Sequence, residues 1–376
     1  MHAITSRAVT LSSAALLFAV VLAISTYGAL TRTRDVPENI LRALRQGGVN
    51  LVYDWYDVPK YKPDAFDAEL PLIRAAGGGH VRLVISMDVL EDARSGKLRD
   101  ERWQDLKRFI GKARAHGLVT IVDVHNTGQK NADGSWTHDY MHRLVYPEMQ
   151  SRHSRLLGEL AARIYKETDR DWVIVDPANE PQSNIWYAYQ DRLMPIIRHN
   201  CPDCVIFAMA SKWQVPEETV RQLNPRERPW WDERFMVDIH MYAPLSLTHC
   251  SFPGKPNTCG GKTWPGVYDD GLPGGGRYNG LWDKEILGRS LQSLWDWSKR
   301  LRVQLHFSEI GTAADLADGP RSAYLRDVIS LLRANGAGWT CYDWHQPQFG
   351  IKNAPATKDA CLRGPRTTPP LGKNPG

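Results

Sequence analysis

The sequence predicts an α/β protein whose single domain is a (β/α)8 TIM barrel, and three observations support this prediction. From residue 47 onward, short β-branched runs alternate with amphipathic stretches. Most of these runs are apolar almost without interruption, which is typical of parallel strands covered on both faces. Once an apolar N-terminus is set aside, roughly 345 residues remain, enough for two average domains or one large barrel.

The elements can be assigned in order along the chain. We predict eight strands, at residues 48–55, 80–86, 118–125, 171–179, 204–210, 234–242, 303–309 and 338–344. Apolar residues at three-to-four spacing predict helices between them, at residues 64–76, 100–116, 140–166, 185–199, 216–223, 282–301 and 321–334. Eight βα units joined by right-handed crossovers close into a barrel whose active site lies at the C-terminal ends of the strands.

A doubly wound open sheet is the alternative architecture. It requires a glycine-rich phosphate-binding turn after an early strand, whereas the glycines at 77–79 precede a predicted strand.

The barrel domain is assigned to residues 35–350, and two segments depart from a plain barrel. Residues 244–280 form a long connection rich in Gly and Pro, which we expect to lie over the site as a specificity loop. Residues 351–376 form a Pro-rich C-terminal tail with a brief helical stretch at 357–362, so the eighth helix is expected to be short or missing.

Residues 1–30 are typical of an export signal. A short polar start with Arg7 precedes 17 uncharged, mostly apolar residues at 8–24. The sequence leaves two fates open for this segment: a peptidase removes it, or it stays as a membrane tether. As a tether it would be marginal, because about 20 apolar residues are needed to cross a bilayer. A buried core helix is the other interpretation, but such a helix would show a polar far face. We therefore expect a periplasmic or secreted protein.

Composition excludes several classes of protein. With 42% hydrophobic and 24% charged residues, the chain is neither disordered nor collagen-like. Its net charge of +5 is scattered over single residues, so nucleic acid is not an expected partner. The 14 Trp and 14 Tyr exceed what a core needs. They suit a groove where flat, partly apolar ligands such as sugars stack.

Six cysteines, an even number, agree with an oxidising compartment. They fall in neighbouring pairs, and our hypothesis is that the disulfides are Cys201–Cys204, Cys250–Cys259 and Cys341–Cys361. Six cysteines allow 15 pairings, so the sequence alone does not choose among them. The Cys-x-x-Cys spacing at 201–204 is also found in thiol oxidoreductases. A zinc site is disfavoured, because export favours disulfides over thiolate ligands.

Polar residues at strand ends carry the functional prediction, because a barrel places its chemistry there. They are Arg82, His125, Asn126, Asn179, Glu180, His240, Tyr242, Glu309 and Trp344. The two carboxylates, Glu180 and Glu309, come from the fourth and seventh strands and so face each other across the barrel mouth. Two carboxylates that flank one bond are the arrangement used in glycoside hydrolysis. If only one Glu stood at a strand end, a structural ion pair would explain it as well as a catalytic role would.

With these residues the chain resembles glycoside hydrolase family 5, the cellulase-type barrels with a catalytic Glu on strands four and seven. The matching motifs are Val81-Arg82, Asp123-Val-His125, Asn179-Glu-Pro181, His240-Met-Tyr242, Phe307-Ser-Glu309 and Asp343-Trp344. Asn-Glu-Pro alone is a weak signal, but eight matched positions in order are a strong one. The resemblance covers nearly the whole chain after residue 47. It implies that Glu180 is the acid/base and Glu309 the nucleophile of a retaining mechanism.

Physical chemistry assigns roles to the accompanying residue types. A retaining enzyme needs one protonated carboxylic acid and one carboxylate roughly 5 Å apart. We expect Arg82 and Tyr242 to keep Glu309 ionised, and His240 to orient Glu180. The remaining candidates would contact the sugar: Asn179 at the 2-hydroxyl, His125 and its neighbour Asn126 at other hydroxyls, Trp344 as the floor of the site, and Trp213 as a flanking ring.

The expected function is that of an exported retaining glycosidase that cleaves β-linked glucan, most simply an endo-β-1,4-glucanase. Its partner would be a polysaccharide or oligosaccharide. The sequence implies neither a metal nor an organic cofactor, and we expect a monomer. The alternatives are a hydrolase of mannan or of β-1,3/1,6-glucan, a barrel that binds carbohydrate without catalysis and aids polysaccharide export, and a thiol oxidoreductase.

Overall fold

A computed structural model describes residues 35–52, 54–92, 95–125, 129–130, 136–137, 144 and 146–363. A compact unit begins at Val36. The predicted export segment at 1–30 and the end of the predicted tail, 364–376, lie outside the described residues. In the described part, no helix combines the length and apolarity needed to cross a membrane.

Eight parallel strands close into a barrel, as the alternation of elements predicts. Each strand pairs with the next one along the chain, and the last pairs with the first. The open-sheet alternative is therefore wrong. The strands are β1 (Gly48–Leu51), β2 (His80–Ser86), β3 (Val119–His125), β4 (Val173–Asp176), β5 (Val205–Met209), β6 (Phe235–Met241), β7 (Leu305–Ile310) and β8 (Gly338–Cys341).

Helices of seven or more residues alternate with these strands, and two short helices lie at Met87–Leu90 and Leu245–Thr248. The longer helices are α1 (Glu38–Arg45), α2 (Glu69–Ala75), α3 (Asp100–Ala115), α4 (Pro147–Glu167), α5 (Ile185–Asn200), α6 (Pro216–Gln222), α7 (Lys284–Ser290), α8 (Gln292–Leu301), α9 (Asp318–Ala334) and α10 (Pro355–Arg363). In α3 the buried residues recur at helical spacing, at Trp103, Leu106, Phe109, Ile110 and Ala113. Helix α4 begins at Pro147, because proline suits the first helical position, and residues 140–143 and 145 of the helix predicted at 140–166 lie outside the described residues.

Other predicted helices also differ in detail from the observed ones, and the helix predicted at 64–76 is the shorter Glu69–Ala75. The stretch predicted at 282–301 is two helices, α7 and α8, separated at Leu291. The eighth helix exists as the short α10, which covers the stretch predicted at 357–362.

The barrel strands bury polar and charged side chains as well as apolar ones. All seven residues of β2 are buried, including Arg82, which is 0% exposed. At the N-terminal end of the barrel, the imidazoles of His80 and His306 share the hydroxyl of Thr340, with Nε2–Oγ1 distances of 2.9 and 2.8 Å. Burial lowers the pKa of His80 to about 4, so this histidine is neutral at pH 7. Nδ1 of His80 also contacts the carbonyl of Ala43 at 3.1 Å, whereas Nδ1 of His306 is buried without a hydrogen-bond partner.

The long connection at 244–280 carries its own structure. It contains a hairpin in which Gly266–Gly271 pairs with Arg277–Trp282 in antiparallel register. The side chain of Asp270 accepts a hydrogen bond from the backbone N–H of Ser246, which joins the hairpin to the start of the connection.

Three disulfides join the cysteines in the pairs that we hypothesised: Cys201–Cys204, Cys250–Cys259 and Cys341–Cys361. Cys201 follows the C-terminus of α5, whereas a reactive thiolate is favoured at a helix N-terminus. Both Cys201 and Cys204 are buried. These positions fit a structural clip and give no support to a thiol oxidoreductase.

Replacing both Cys341 and Cys361 by Ser is expected to lower the free energy of unfolding by about 3 kcal/mol, because this disulfide shortens the unfolded chain across a 20-residue separation. Chemical denaturation under non-reducing conditions measures the change. The matched control is the Cys201/Cys204 double Ser variant, whose disulfide spans 3 residues and is expected to contribute less. Equal losses in the two variants would contradict the prediction.

Candidate active site

Two carboxylates meet at the C-terminal end of the barrel. Glu180 lies four residues beyond the end of β4, and Glu309 lies within β7, where it is in register with His240 of β6. The register of β7 shifts between Phe307 and Glu309, an irregularity of the kind that redirects a strand side chain. Side-chain ligand atoms of Glu180, His240 and Glu309 all lie within 4.8 Å of one another. The two carboxylates are therefore close enough to flank one bond.

Arg82 lies beneath the carboxylates and binds most of the polar groups around it. Its guanidinium donates to Glu309 Oε1 and Asp176 Oδ2 at 2.9 Å each, and lies 3.1 Å from Asp123. It also donates to the side-chain oxygens of Asn50 and Asn179, at 3.0 and 2.9 Å. A rigid fork of donors suits this arrangement, which a lysine could not reproduce.

The charges around Arg82 act on one another. Burial by itself would lower the pKa of Arg82, but Asp123, Asp176 and Glu309 raise it well above its ordinary value. Burial also raises the pKa of Asp176 well above the ordinary range, and Arg82 offsets this only in part. Arg82 and the carboxylates around it thus offset one another's charge inside the barrel.

Glu309 is held by two donors on different strands. Arg82 donates to its Oε1, and the hydroxyl of Tyr242 donates to its Oε2 at 2.8 Å. Burial, followed by the charge of Glu309, raises the pKa of Tyr242 well above its ordinary value. Tyr242 is consequently a permanent donor, and the geometry suits an anionic carboxylate.

Glu180 has a different environment. Burial raises the pKa of Glu180 to about 7, against the opposing effects of His125 and Arg82. Its Oε1 lies 2.9 Å from Nδ1 of His240. Its backbone N–H donates to the side chain of Gln214, which in turn donates to Asp238 at 2.8 Å.

His240 links Glu180 to Ser308. Its Nδ1 lies 2.9 Å from Glu180 Oε1, and its Nε2 lies 2.9 Å from the hydroxyl of Ser308. Burial lowers the pKa of His240, which favours the neutral ring. A neutral imidazole has one donor and one acceptor nitrogen, so when Nε2 donates to Ser308, Nδ1 can accept a hydrogen bond from the protonated Glu180.

The other predicted site residues fall into three groups. Asn179 and His125 lie in the site: Asn179 binds Arg82, and His125 Nδ1 is 2.6 Å from Asp123 Oδ2. Trp213 follows β5 and is 57% exposed. Asn126 lies outside the described residues.

Trp344 requires a correction. It was expected to form an open floor for a sugar ring, but it is 1% exposed and its indole N–H donates to Glu69 at 2.7 Å. The partly exposed ring near Tyr242 is Tyr342, which comes first after β8. Tyr342 packs against Phe349, with ring centroids 5.6 Å apart. The chain leaves strand geometry after Cys341, so the strand alternation used to place Trp344 does not apply there.

Sequence reasoning also missed several supporting residues. Asn50, Asp176, Gln214 and Ser308 are all fully buried and all bind a residue of the site. A polar residue in an apolar strand was the available signal for Asn50 and Asp176. No such signal was available for Gln214, because it lies beyond the end of β5.

A metal ion is disfavoured between the carboxylates. Glu180, His240 and Glu309 form a candidate ligand group by distance. However, the guanidinium of Arg82 already lies 2.9 Å from Glu309, and His240 Nδ1 is engaged with Glu180. A cation placed there would be repelled by the buried guanidinium.

A closed (β/α)8 barrel with two carboxylates at its mouth is the arrangement typical of O-glycosyl hydrolases. Residues 46–348 match the model of one family, described as Cellulase (glycosyl hydrolase family 5). The chain belongs to that family, as its motifs indicate.

Known proteins agree with this assignment. Cellodextrinase A of Ruminococcus flavefaciens is 25% identical over 213 residues, which are 55% of this chain and 60% of that protein, so less than two thirds of the relative is matched. Among solved structures, the endoglucanase Cel5A of Thermotoga maritima superposes with a TM-score of 0.68 at 18% identity, covering 87% of this chain and 100% of that one. The cellulose synthase subunit CcsZ of Clostridioides difficile gives 0.66 at 16% identity, covering 84% and 98%. These structures share the fold.

Glu180→Gln is expected to raise the free energy of unfolding at pH 8 and to change it little at pH 5. The folded-state pKa of about 7 exceeds the ordinary value of 4.5, so this group's contribution to stability is fully present below pH 4.5 and is lost as the pH rises through 7. The gain at pH 8 is at most about 3 kcal/mol, reduced by residual solvent access.

Urea denaturation at both pH values measures this change. The matched control is Glu217→Gln, because Glu217 is an exposed carboxylate on α6. A stability difference for Glu180→Gln that does not change with pH would contradict the prediction.

Proposed function

We propose that this protein is a retaining endo-β-1,4-glucanase in which Glu309 is the nucleophile and Glu180 the acid/base. The observation that carries the proposal is the inequality of the two carboxylates. Glu309 is paired with a buried guanidinium and a phenol, whereas burial raises the pKa of Glu180 to about 7. Such a pair supplies an anion and an acid at the same pH.

In the first step, an oxygen of Glu309 attacks the anomeric carbon while the bond from that carbon to the glycosidic oxygen breaks. Glu180 gives its proton to the departing oxygen, which leaves as a hydroxyl. Arg82 and Tyr242 orient Glu309 for the attack. Asn179, fixed by Arg82, is placed to bind the sugar 2-hydroxyl, a contact that strengthens as positive charge develops on the ring.

In the second step, water replaces the departed sugar. Glu180, now ionised, accepts a proton from the water, whose oxygen attacks the anomeric carbon as its bond to Glu309 breaks. His240 orients Glu180 in both steps, since its Nδ1 lies 2.9 Å from Glu180 Oε1.

The substrate class rests on the rings at the site and on the relatives. Tyr342 is partly exposed next to the nucleophile side of the site, and Trp213 adjoins Gln214, which binds the backbone of Glu180. Such rings stack on the flat faces of glucose units. The similar proteins named as a cellodextrinase and an endoglucanase favour β-1,4-glucan. Mannan is the second candidate, because Cel5A of Thermotoga maritima has been solved with mannotriose as substrate.

We also propose that the protein acts outside the cytoplasm, with residues 1–30 as its signal or tether. The apolar run at 8–24 and the three disulfides support this, since disulfides persist in oxidising compartments.

The purified protein is expected to release reducing ends from carboxymethyl cellulose and barley β-glucan, and less from mannan and laminarin. Glu180→Gln and Glu309→Gln are each expected to lower these rates about a thousandfold or more. Cleavage of mannan alone would replace the substrate assignment. Binding of cellohexaose without turnover of any polymer would instead favour a carbohydrate-binding barrel.

The two roles can be separated with a 2,4-dinitrophenyl β-cellobioside, whose leaving group needs no proton. With β-glucan, kcat/KM is expected to fall about tenfold per pH unit above pH 7, because Glu180 loses its proton there. With the aryl substrate this fall should be absent, and the release of the first equivalent of phenol by Glu180→Ala should stay fast. Glu309→Ala should release none. If kcat/KM falls in the same way above pH 7 with both substrates, the assignment of Glu180 as the acid is contradicted.

A further inference from the structure

A group of aromatic rings continues from Glu309 into the long connection after β6. At its centre is Phe349, which is 4% exposed and whose ring centroid lies 6.0 Å from Tyr242, 5.6 Å from Tyr342 and 5.2 Å from His249. The three rings around it are partly exposed. Phe349 is therefore the buried support of a surface that begins at Tyr242, whose hydroxyl binds Glu309.

His249 and Phe252 continue this series of ring contacts. The His249 ring meets Tyr242 edge to face, with centroids 4.9 Å apart and an interplanar angle of 79°. The Phe252 ring lies 5.7 Å from His249 at an angle of 36°, and the Phe252 side chain is 40% exposed. An exposed phenyl ring beside a partly exposed imidazole combines a flat apolar face with a polar atom, and such surfaces suit sugar rings.

The hydrogen bonds of Thr248 determine which nitrogen of His249 is the acceptor. The Thr248 hydroxyl donates to the carbonyl of Tyr242 at 2.5 Å and lies 3.3 Å from that of Pro244. Its single hydrogen is used there, so Nδ1 of His249, 3.0 Å away, donates to the hydroxyl oxygen. Burial, followed by the charge of Lys255, lowers the pKa of His249 to about 4. The ring is therefore neutral at pH 7, and Nε2 carries the lone pair.

Nε2 of His249 is available to a ligand. Within the part of the chain that the structure describes, this atom has no hydrogen-bond partner, and the side chain is partly exposed. A hydroxyl group can thus donate to it without displacing a protein contact. Such a bond is favourable because the packed rings have already removed part of the water around the imidazole.

The segment that carries Phe252 is fixed in place. The Cys250–Cys259 disulfide closes it into a short loop. The hydroxyl of Ser251 donates to Asp315, in the loop after β7, at 2.5 Å. An exposed ring on a segment held in this way loses little conformational entropy when a ligand packs against it.

We propose that His249 and Phe252 form a further sugar-binding subsite, in which Nε2 accepts a hydrogen bond from a sugar hydroxyl and the phenyl ring packs against a sugar face. The inference rests on the proposed function, since it takes the occupant to be a unit of the same β-1,4-glucan chain that Glu180 and Glu309 cleave. The subsite contacts neither carboxylate directly. It therefore determines how many sugar units the enzyme holds, while the chemistry stays with Glu180 and Glu309.

The test uses variants of the full chain. His249→Phe keeps a ring against Tyr242 and Phe349 but removes the acceptor, and Phe252→Ala removes the exposed ring. With cellohexaose, each is expected to raise KM about tenfold and to change kcat less than about twofold, because the lost contact acts on binding. Phe252→Tyr is expected to restore the KM of the wild type. Val267→Ala is the matched control, because Val267 is an exposed apolar residue in the hairpin of the same connection.

A second substrate, 2,4-dinitrophenyl β-cellobioside, locates the subsite. A rise in KM with cellohexaose alone places it on the leaving-group side or beyond two glucose units on the other side, and a rise with both substrates places it within those two units. The proposal is overturned if neither variant raises KM with cellohexaose. It is also overturned if His249→Phe lowers kcat with both substrates at unchanged KM, since His249 would then act through Tyr242. Both results leave the glucanase assignment intact.

Calorimetry separates this proposal from the proposed function. Cellohexaose and mannohexaose are titrated into Glu309→Gln alone and into Glu309→Gln combined with His249→Phe or with Phe252→Ala. Binding that is about tenfold weaker in the combined variants supports the subsite, even if the wild type cleaves no polymer and the proposed function fails. Equal binding in the three proteins, or no binding of either sugar, overturns the subsite. Circular dichroism verifies that each variant folds.

Discussion

The buried guanidinium of Arg82 is the interaction on which the site depends. It is wholly enclosed by the barrel and joins groups from four other strands or strand ends: Asn50, Asp123, Asp176, Asn179 and Glu309. A charge at this depth is tolerated only when partners of opposite sign surround it. The partners in turn need the cation, since removing it would leave several buried carboxylates uncompensated. The barrel and the site are therefore stabilised together.

The two carboxylates have different surroundings. Arg82 binds Glu309 directly, whereas Glu180 contacts His240 and the side chain of Gln214. Burial raises the pKa of Glu180 to about 7, and the charge of Arg82 opposes this shift only in part. The mechanism that we propose follows from this difference and needs no further charged group.

Backbone strain surrounds the proposed acid. Glu180 has a φ of 44°, and the three consecutive residues Lys212, Trp213 and Gln214 have φ values of 54°, 69° and 54°. Left-handed conformations are unfavourable for side chains other than glycine, and they persist where neighbouring contacts fix them. Here the Gln214 side chain binds both Glu180 and Asp238, while its carbonyl accepts from the backbone of His240. These contacts hold the acid in place and leave Trp213 exposed beside it.

The sequence by itself determined the barrel, the strand carrying each carboxylate, and the residues that match the family, because periodicity and strand-end polarity are local properties of the chain. Tertiary structure alone decided the roles of Tyr342, Trp344 and Gln214. Each of these residues lies beyond the end of its strand, where side chains no longer alternate between two faces, so its direction depends on contacts with distant segments.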